Sequence, residues 1–222
     1  MIGKTLITAH SGADNTAPNS LSFVHRALSS PADTIEVDVR LHKSGLLYLS
    51  HDAVDEEESA LLSLREVLET IRAGSKRINC DLKEPGLEQA VCALAREAGL
   101  SGRLILTGTV SPAFMKESGL LRDAEVYLNI EEMIPGLYPR CLAEPKEIPV
   151  AAREMADICH TYGIGCINAN HLLATGDFLS VIREEGLSVS VWTVDEAPLF
   201  RHFLREKVCN ITTRNLSLSE GG

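Results

Sequence analysis

The chain has 222 residues, 45% of them apolar, and a formal net charge of −10 with a pI near 5.2. That length suffices for one sizeable core, and one large α/β domain fits it as well as two small ones. No block of Lys or Arg stands out, which argues against nucleic acid as a partner; the opening residues form too short an apolar run for a signal core, and no stretch reaches the roughly 18 apolar residues of a membrane span.

The six cysteines, at 80, 92, 141, 159, 166 and 209, form no CxxC and are irregularly spaced. They read as reduced thiols of a cytoplasmic protein. Cys159, His160, Cys166 and His171 fit no standard zinc spacing. The acidic run at 55–58 reads as a solvated loop.

In chain order, residues 4–9 form a strand and 19–29 a helix with Leu21, Val24 and Leu28 on one stripe. A strand at 34–40 and a short one at 46–50 flank the turn Lys43-Ser44-Gly45. A helix at 64–71 opens on Ser63 with Glu66 three residues on, the pattern of a capping box. A strand at 77–83 and a helix at 87–98, closed by Gly99, follow. Further strands are expected at 104–107, 125–130, 165–168, 187–194 and 208–212, and helices at 112–118, 150–162, 177–185 and 197–205. The segment 135–149, with prolines at 135, 139, 145 and 149, reads as a loop. Setting aside the 46–50 ribbon leaves eight strands, each but the last followed by a helix. That alternation predicts a short (β/α)₈ TIM barrel over residues 1–222, a single domain with a vestigial or missing last helix. An open doubly wound sheet is the alternative, weakened by the lack of a GxGxxG or Walker loop.

In such a barrel the chemistry gathers at the C-terminal ends of the strands. His10 ends the first strand. In Ile35-Glu36-Val37-Asp38-Val39 the alternation puts Glu36 and Asp38 on one face. Two carboxylates about 6–7 Å apart repel by roughly 2–3 kcal/mol at an effective dielectric near 20. Such a pair on a buried face needs a cation, either a metal ion or a Lys or Arg. His51 ends the ribbon, and Asp81 and Lys83 end the third strand. Trp192 is a pocket wall or a core aromatic, and His171 follows the sixth strand at the same rim. The other histidines, at 25, 42, 160 and 202, read as structural. Ser11 lies in no GxSxG elbow and is no triad serine.

These residues carry a resemblance to the glycerophosphodiester phosphodiesterases, whose pattern runs A-H-R-G, N-[TS], E-x-D-V, H-D, [ED]-x-K, W-T-V and T-x-R. The sequence offers Ala9-His10-Ser11-Gly12, Asn19-Ser20, Glu36-Val37-Asp38-Val39, His51-Asp52, Asp81-Leu82-Lys83, Trp192-Thr193-Val194 and Thr212-Thr213-Arg214, in that order. The family fold is a (β/α)₈ barrel. The resemblance implies that Glu36, Asp38 and Asp81 hold one hard divalent ion, Mg²⁺ or Ca²⁺. It makes His10 and His51 the general acid–base pair and puts the charge of Lys83 on the phosphate. The implied reaction is hydrolysis of a glycerophosphodiester to sn-glycerol 3-phosphate and an alcohol, with water or a substrate hydroxyl as nucleophile.

Two departures stand out. Ser11 replaces the arginine of A-H-R-G and offers no guanidinium to a phosphate. Arg40, which continues the Glu36, Asp38 series, is either its substitute or a surface arginine at a strand end. Only residues 53–62 separate His51-Asp52 from the next helix, so no large inserted subdomain covers the alcohol end and an open site is expected. Ser11, Arg40, Lys83, Trp192 and His171 are thus the candidate substrate contacts. The expected partner is a small-molecule phosphodiester, with assembly into a homo-oligomer left open. Two alternatives are carried: a phospholipase-like enzyme acting on lysolipid head groups, and a catalytically silent barrel that binds a phosphorylated ligand.

Overall fold

The computed structural model describes residues 4–54, 57 and 61–219. Its strands are β1 (Leu6–Ala9), β2 (Thr34–Leu41), β3 (Leu47–Leu49), β4 (Arg77–Leu82), β5 (Leu104–Gly108), β6 (Glu125–Asn129), β7 (Cys166–Asn170), β8 (Ser188–Trp192) and β9 (Asn210–Thr213). The sheet order is β1-β9-β8-β7-β6-β5-β4-β2-β3, and a β1–β2 pairing closes it. Eight parallel strands therefore make a closed TIM barrel, and β3 is an antiparallel ribbon on β2.

The helices are α1 (Leu21–Ser29), α2 (Leu64–Ile71), α3 (Glu88–Glu97), α4 (Pro112–Ser118), α5 (Ile130–Met133), α6 (Leu137–Ala143), α7 (Ile148–Tyr162), α8 (Gly176–Glu184) and α9 (Ala197–Arg205). Each longer helix covers the barrel with one apolar stripe. In α2 the buried side chains are Leu64, Val67, Leu68 and Ile71, the i, i+3, i+4, i+7 pattern of a helix with one buried face. Its start is the expected capping box: Ser63 Oγ accepts from the Glu66 N–H at 3.2 Å, and a Glu66 carboxylate oxygen accepts from the Ser63 N–H at 2.9 Å. After β9 the described chain ends in a 3₁₀ turn, Leu216–Ser219, which stands where an eighth full helix would be.

One expectation needs correction. The segment 135–149 is not a plain loop, since it contains α6 and the start of α7. Pro139 falls in the first turn of α6 and Pro149 in that of α7, where a missing N–H breaks no helical hydrogen bond. The acidic run at 55–58 falls, apart from Glu57, outside the described residues.

The inward-facing side chains change character along the strands. Toward the N-terminal end Ile105, Tyr127 and Cys166 pack together as a separate apolar cluster inside the barrel. Two residues further on, the same face of β5, β6 and β7 carries Thr107, Asn129 and Asn168. Where β1 meets β9, the interior is polar and fully paired. Thr8 Oγ1 donates to Asn210 Oδ1 at 2.7 Å, and Asn210 Nδ2 donates to Ser190 Oγ at 2.9 Å. Among the described residues no helix is long and apolar enough to cross a membrane.

Asn210→Ala strands the buried hydroxyls of Thr8 and Ser190, at about 1–3 kcal/mol for each group left unsatisfied. The expected outcome is a melting temperature lower by roughly 5–10 °C, measured by thermal unfolding followed by circular dichroism, with the barrel still folded at 25 °C.

Candidate active site

The strand register builds the centre of the site. Asp38 on β2 lies beside Asp81 on β4, and Glu36 lies beside Asn79 one step deeper. One carboxylate oxygen from each of Glu36, Asp38 and Asp81 falls within 4.8 Å of the others, the only such cluster of potential metal ligands among the described residues. They line a cavity of about 410 Å³ at the C-terminal rim, together with His10, His51 and Lys83.

Each acid is held differently. Asp38 is clamped by Asn19, whose Nδ2 donates to Asp38 Oδ2 at 2.7 Å while its Oδ1 accepts the Asp38 N–H at 3.0 Å. Asp81 Oδ1 accepts from Thr107 Oγ1 at 3.2 Å. The site also depends on a glycine beside Asp81. Gly108 has φ +77°, and a Cβ there would lie 2.3 Å from Asp81 Oδ1. Glu36 is buried, and no hydrogen-bond donor among the described residues reaches its carboxylate; His10 Nε2 lies 3.8 Å from its Oε1. Both kinds of cation that the Glu36, Asp38 pair called for come into question here, because Lys83 Nζ sits 2.9 Å from Asp38 Oδ1 and 2.5 Å from Asp81 Oδ2.

The electrostatics follow. Burial, then repulsion from Asp81 and Asp38, pushes the Glu36 pKa well above the usual carboxylate range. Burial also opposes the charge of Asp38, but Lys83 and the Asn19 hydrogen bond outweigh it and lower its pKa. Burial works against the Lys83 ammonium too, and the two aspartates overcome it, so its pKa is raised. One lysine cannot neutralise three carboxylates. The donor set, three hard oxygens with one acid forced toward its protonated form, therefore fits a divalent cation.

His10 has a defined tautomer. Its Nδ1 lies 3.0 Å from the Ser11 carbonyl oxygen, which can only accept, so Nδ1 carries the hydrogen and Nε2 is left as an acceptor facing the cavity. Burial lowers its pKa and the nearby Arg214 adds to this, outweighing the Ser11 hydrogen bond and the charges of Asp38 and Asp81. His51 is largely exposed, and its Nδ1 donates to Asp52 Oδ1 at 3.0 Å.

The remaining sequence candidates part company. Trp192 lines the cavity, with its buried indole N–H unpartnered among the described residues. His171 stands beside the cavity and not in its lining, with Nδ1 3.3 Å from the Trp192 carbonyl oxygen. Ser11 is buried, and its Oγ accepts the Asn19 N–H at 2.8 Å, so it supports the residue that clamps Asp38. Arg40 turns away from the cavity: its Nε donates to the His51 carbonyl at 3.0 Å, and Nη1 lies 3.5 Å from Glu84. Three contributors escaped the residue-by-residue reading. Asn19 and Arg214 stood in recognised motifs without a role, and Gly108, one residue past the strand expected at 104–107, gave no signal.

Comparison with known proteins points one way. The Arabidopsis thaliana glycerophosphodiester phosphodiesterase GDPD4 is 25% identical over 97% of this chain and 72% of its own length. A glycerophosphodiester phosphodiesterase of Caldanaerobacter subterraneus is 26% identical, over 95% of this chain and 94% of its own. The chain is similar in sequence to glycerophosphodiester phosphodiesterases. Solved structures agree on the fold. A glycerophosphodiester phosphodiesterase from Thermotoga maritima superposes with a TM-score of 0.73 over 98% of both chains, at 18% identity. An Oleispira antarctica phosphodiesterase in complex with the product sn-glycerol-3-phosphate does so with a TM-score of 0.72, over 98% of this chain and 96% of that one, at 16% identity. No protein-family model matches the chain.

The raised pKa of Glu36 sets the sign of a stability test. Its folded-state value lies above that of the unfolded chain, so the ionised acid costs stability at neutral pH, and the cost lifts as pH falls through the raised value. Mg²⁺ or Ca²⁺ at about a hundred times its dissociation constant should add about 2.7 kcal/mol at neutral pH, a rise of roughly 5–10 °C in melting temperature. Glu36→Gln should melt higher than the parent protein in EDTA and lose most of the metal-induced rise, both read by differential scanning fluorimetry.

Proposed function

We propose that the protein is a metal-dependent phosphodiesterase that hydrolyses a glycerophosphodiester to sn-glycerol 3-phosphate and an alcohol. One observation carries the reading: two imidazoles and a three-carboxylate cluster share a single cavity at the catalytic rim of the barrel. The sequence relatives and the product-bound Oleispira structure support it.

In this reading Glu36, Asp38 and Asp81 hold Mg²⁺ or Ca²⁺, which when bound offsets the charge of the phosphodiester and acts as a Lewis acid. His10 presents an unprotonated Nε2 to the cavity, so it is placed to take the proton of the nucleophile. His51 stands at the open edge with its Nδ1 hydrogen directed at Asp52, and it is placed to return a proton to the leaving alkoxide. Arg40 positions it by holding the His51 carbonyl. Lys83 supplies positive charge beside the phosphate while tying Asp38 to Asp81. Trp192 walls the cavity and, with the short segment after Asp52, leaves the alcohol side weakly specified. The protein acts on small diesters as a single cytoplasmic domain, in glycerol and lipid metabolism.

His10→Ala and His51→Ala are each expected to lower metal-dependent hydrolysis by about 10²–10⁴-fold. The metal-induced rise in melting temperature should stay intact. The assay is coupled release of sn-glycerol 3-phosphate from glycerophosphodiesters with different alcohols, with a lysophospholipid in the panel. Hydrolysis by the parent protein of none of them would sink the enzymatic reading.

A further inference from the structure

Arg214 follows β9 directly, and its side chain lines the cavity from the strand next to that of His10. Its backbone is fixed on both sides. The Arg214 N–H donates to Asp195 Oδ1 at 2.7 Å, and its carbonyl accepts the Asp14 N–H at 2.8 Å. Asp195 also accepts from Thr213 Oγ1 at 3.1 Å, and Asp14 Oδ1 accepts the Leu216 N–H at 3.0 Å. Two acidic side chains are thus spent on fixing the turn, and neither meets the guanidinium they orient.

The guanidinium itself has no carboxylate partner among the described residues. Its one side-chain hydrogen bond among the described residues is Nη2 to His10 Nε2 at 3.4 Å, the ring nitrogen left as acceptor by the Ser11 hydrogen bond. The other cations near the site are committed: Lys83 to Asp38 and Asp81, and Arg40 to Glu84 and the His51 carbonyl. Several other arginines end on carboxylates, as in Arg96–Asp123 at 2.6 Å and Arg183–Glu206 at 3.0 Å, while Arg103 ends on backbone carbonyls. An exposed guanidinium on a rigid turn at the mouth of a cavity, in electrostatic range of Glu36 but with no carboxylate at ion-pair distance among the described residues, is built for an anion that arrives from solvent. Its planar fork of N–H donors matches the oxygens of a phosphate.

We propose that Arg214 is a substrate-binding residue that grips non-bridging phosphate oxygens beside His10, the task for which Ser11 has no charge. The proposal rests on the phosphodiesterase reading for the identity of the anion. It also explains why Ser11 can be turned inward: its hydroxyl is free to support Asn19 because the guanidinium reaches the site from the last strand instead of the first.

The test titrates sn-glycerol 3-phosphate into the Mg²⁺-loaded protein by calorimetry. It compares the parent protein with Arg214→Ala and Arg214→Gln, and with Arg65→Ala, which removes an exposed cation from α2. Loss of a charge-assisted contact should weaken binding at least about tenfold in both position-214 variants and leave Arg65→Ala unchanged. In hydrolysis the loss should fall on kcat/KM. Melting curves with and without Mg²⁺ confirm folding, and if one position-214 variant fails to fold the other carries the measurement. Binding by a folded variant within about twofold of the parent overturns the proposal, as does a parent protein that does not bind the product at all. Failure of the parent protein to hydrolyse any diester, with the product-binding difference intact, would overturn the enzymatic reading and leave the phosphate grip standing.

Discussion

Three carboxylates crowd one edge of this barrel, and much of the rim is arranged around that charge. Lys83 bridges two of them and Asn19 clamps one. Gly108 makes room for Asp81, and burial together with the repulsion of the two aspartates raises the pKa of Glu36. Three carboxylates against one ammonium leave an excess of up to two negative charges, which is the charge one divalent cation offsets. The repulsion tolerated there costs stability and leaves the cluster assembled in advance.

The barrel separates this charged end from its packing. Helices bury their apolar stripes against the outer faces of the strands, and the interior near the N-terminal ends of β5, β6 and β7 is filled by Ile105, Tyr127 and Cys166. Because the side-chain period of a strand is two, each strand delivers its functional group to the same interior face as its packing residue, one or two steps later. Glu36 and Asp38 share the face that Thr34 begins, and Asn79 and Asp81 do the same on β4. The acidic rim is thus the continuation of the core by the same alternation.

How much of this could be read in the sequence follows from the range of each interaction. The helices at 64–71, 112–118 and 197–205 are governed by caps, prolines at first turns and apolar spacing, all local, and their bounds agree with the structure. The strands carrying His10, Glu36, Asp38 and Asp81 were legible because β-branched alternation is local as well. The triad was legible as a group only through the order of motifs along the chain. The helix at 137–143 was hidden by Pro139, because a proline breaks a helix in its interior but not in its first turn. Ser11 and Arg40 illustrate a harder limit. Position relative to a strand end puts both near the rim, yet only the path of the 10–19 loop and the place of Glu84 decide that neither side chain faces the cavity. Arg214 is the extreme case, since its neighbour His10 lies 204 positions away.

The closing seam of the barrel ties the first strand to the last. The His10 N–H donates to the Thr213 carbonyl at 2.9 Å, Thr8 reaches Asn210, and Arg214 comes to rest beside His10. The last two of these contacts join residues 202 and 204 positions apart in sequence. Glu36, Asp38 and Asp81 need no such reach, since β2 and β4 are direct neighbours in the sheet. The acidic cluster is thus a product of one strand pair, whereas the meeting of His10 with Arg214 exists only once β9 sits between β8 and β1 and the open sheet becomes a sealed cylinder.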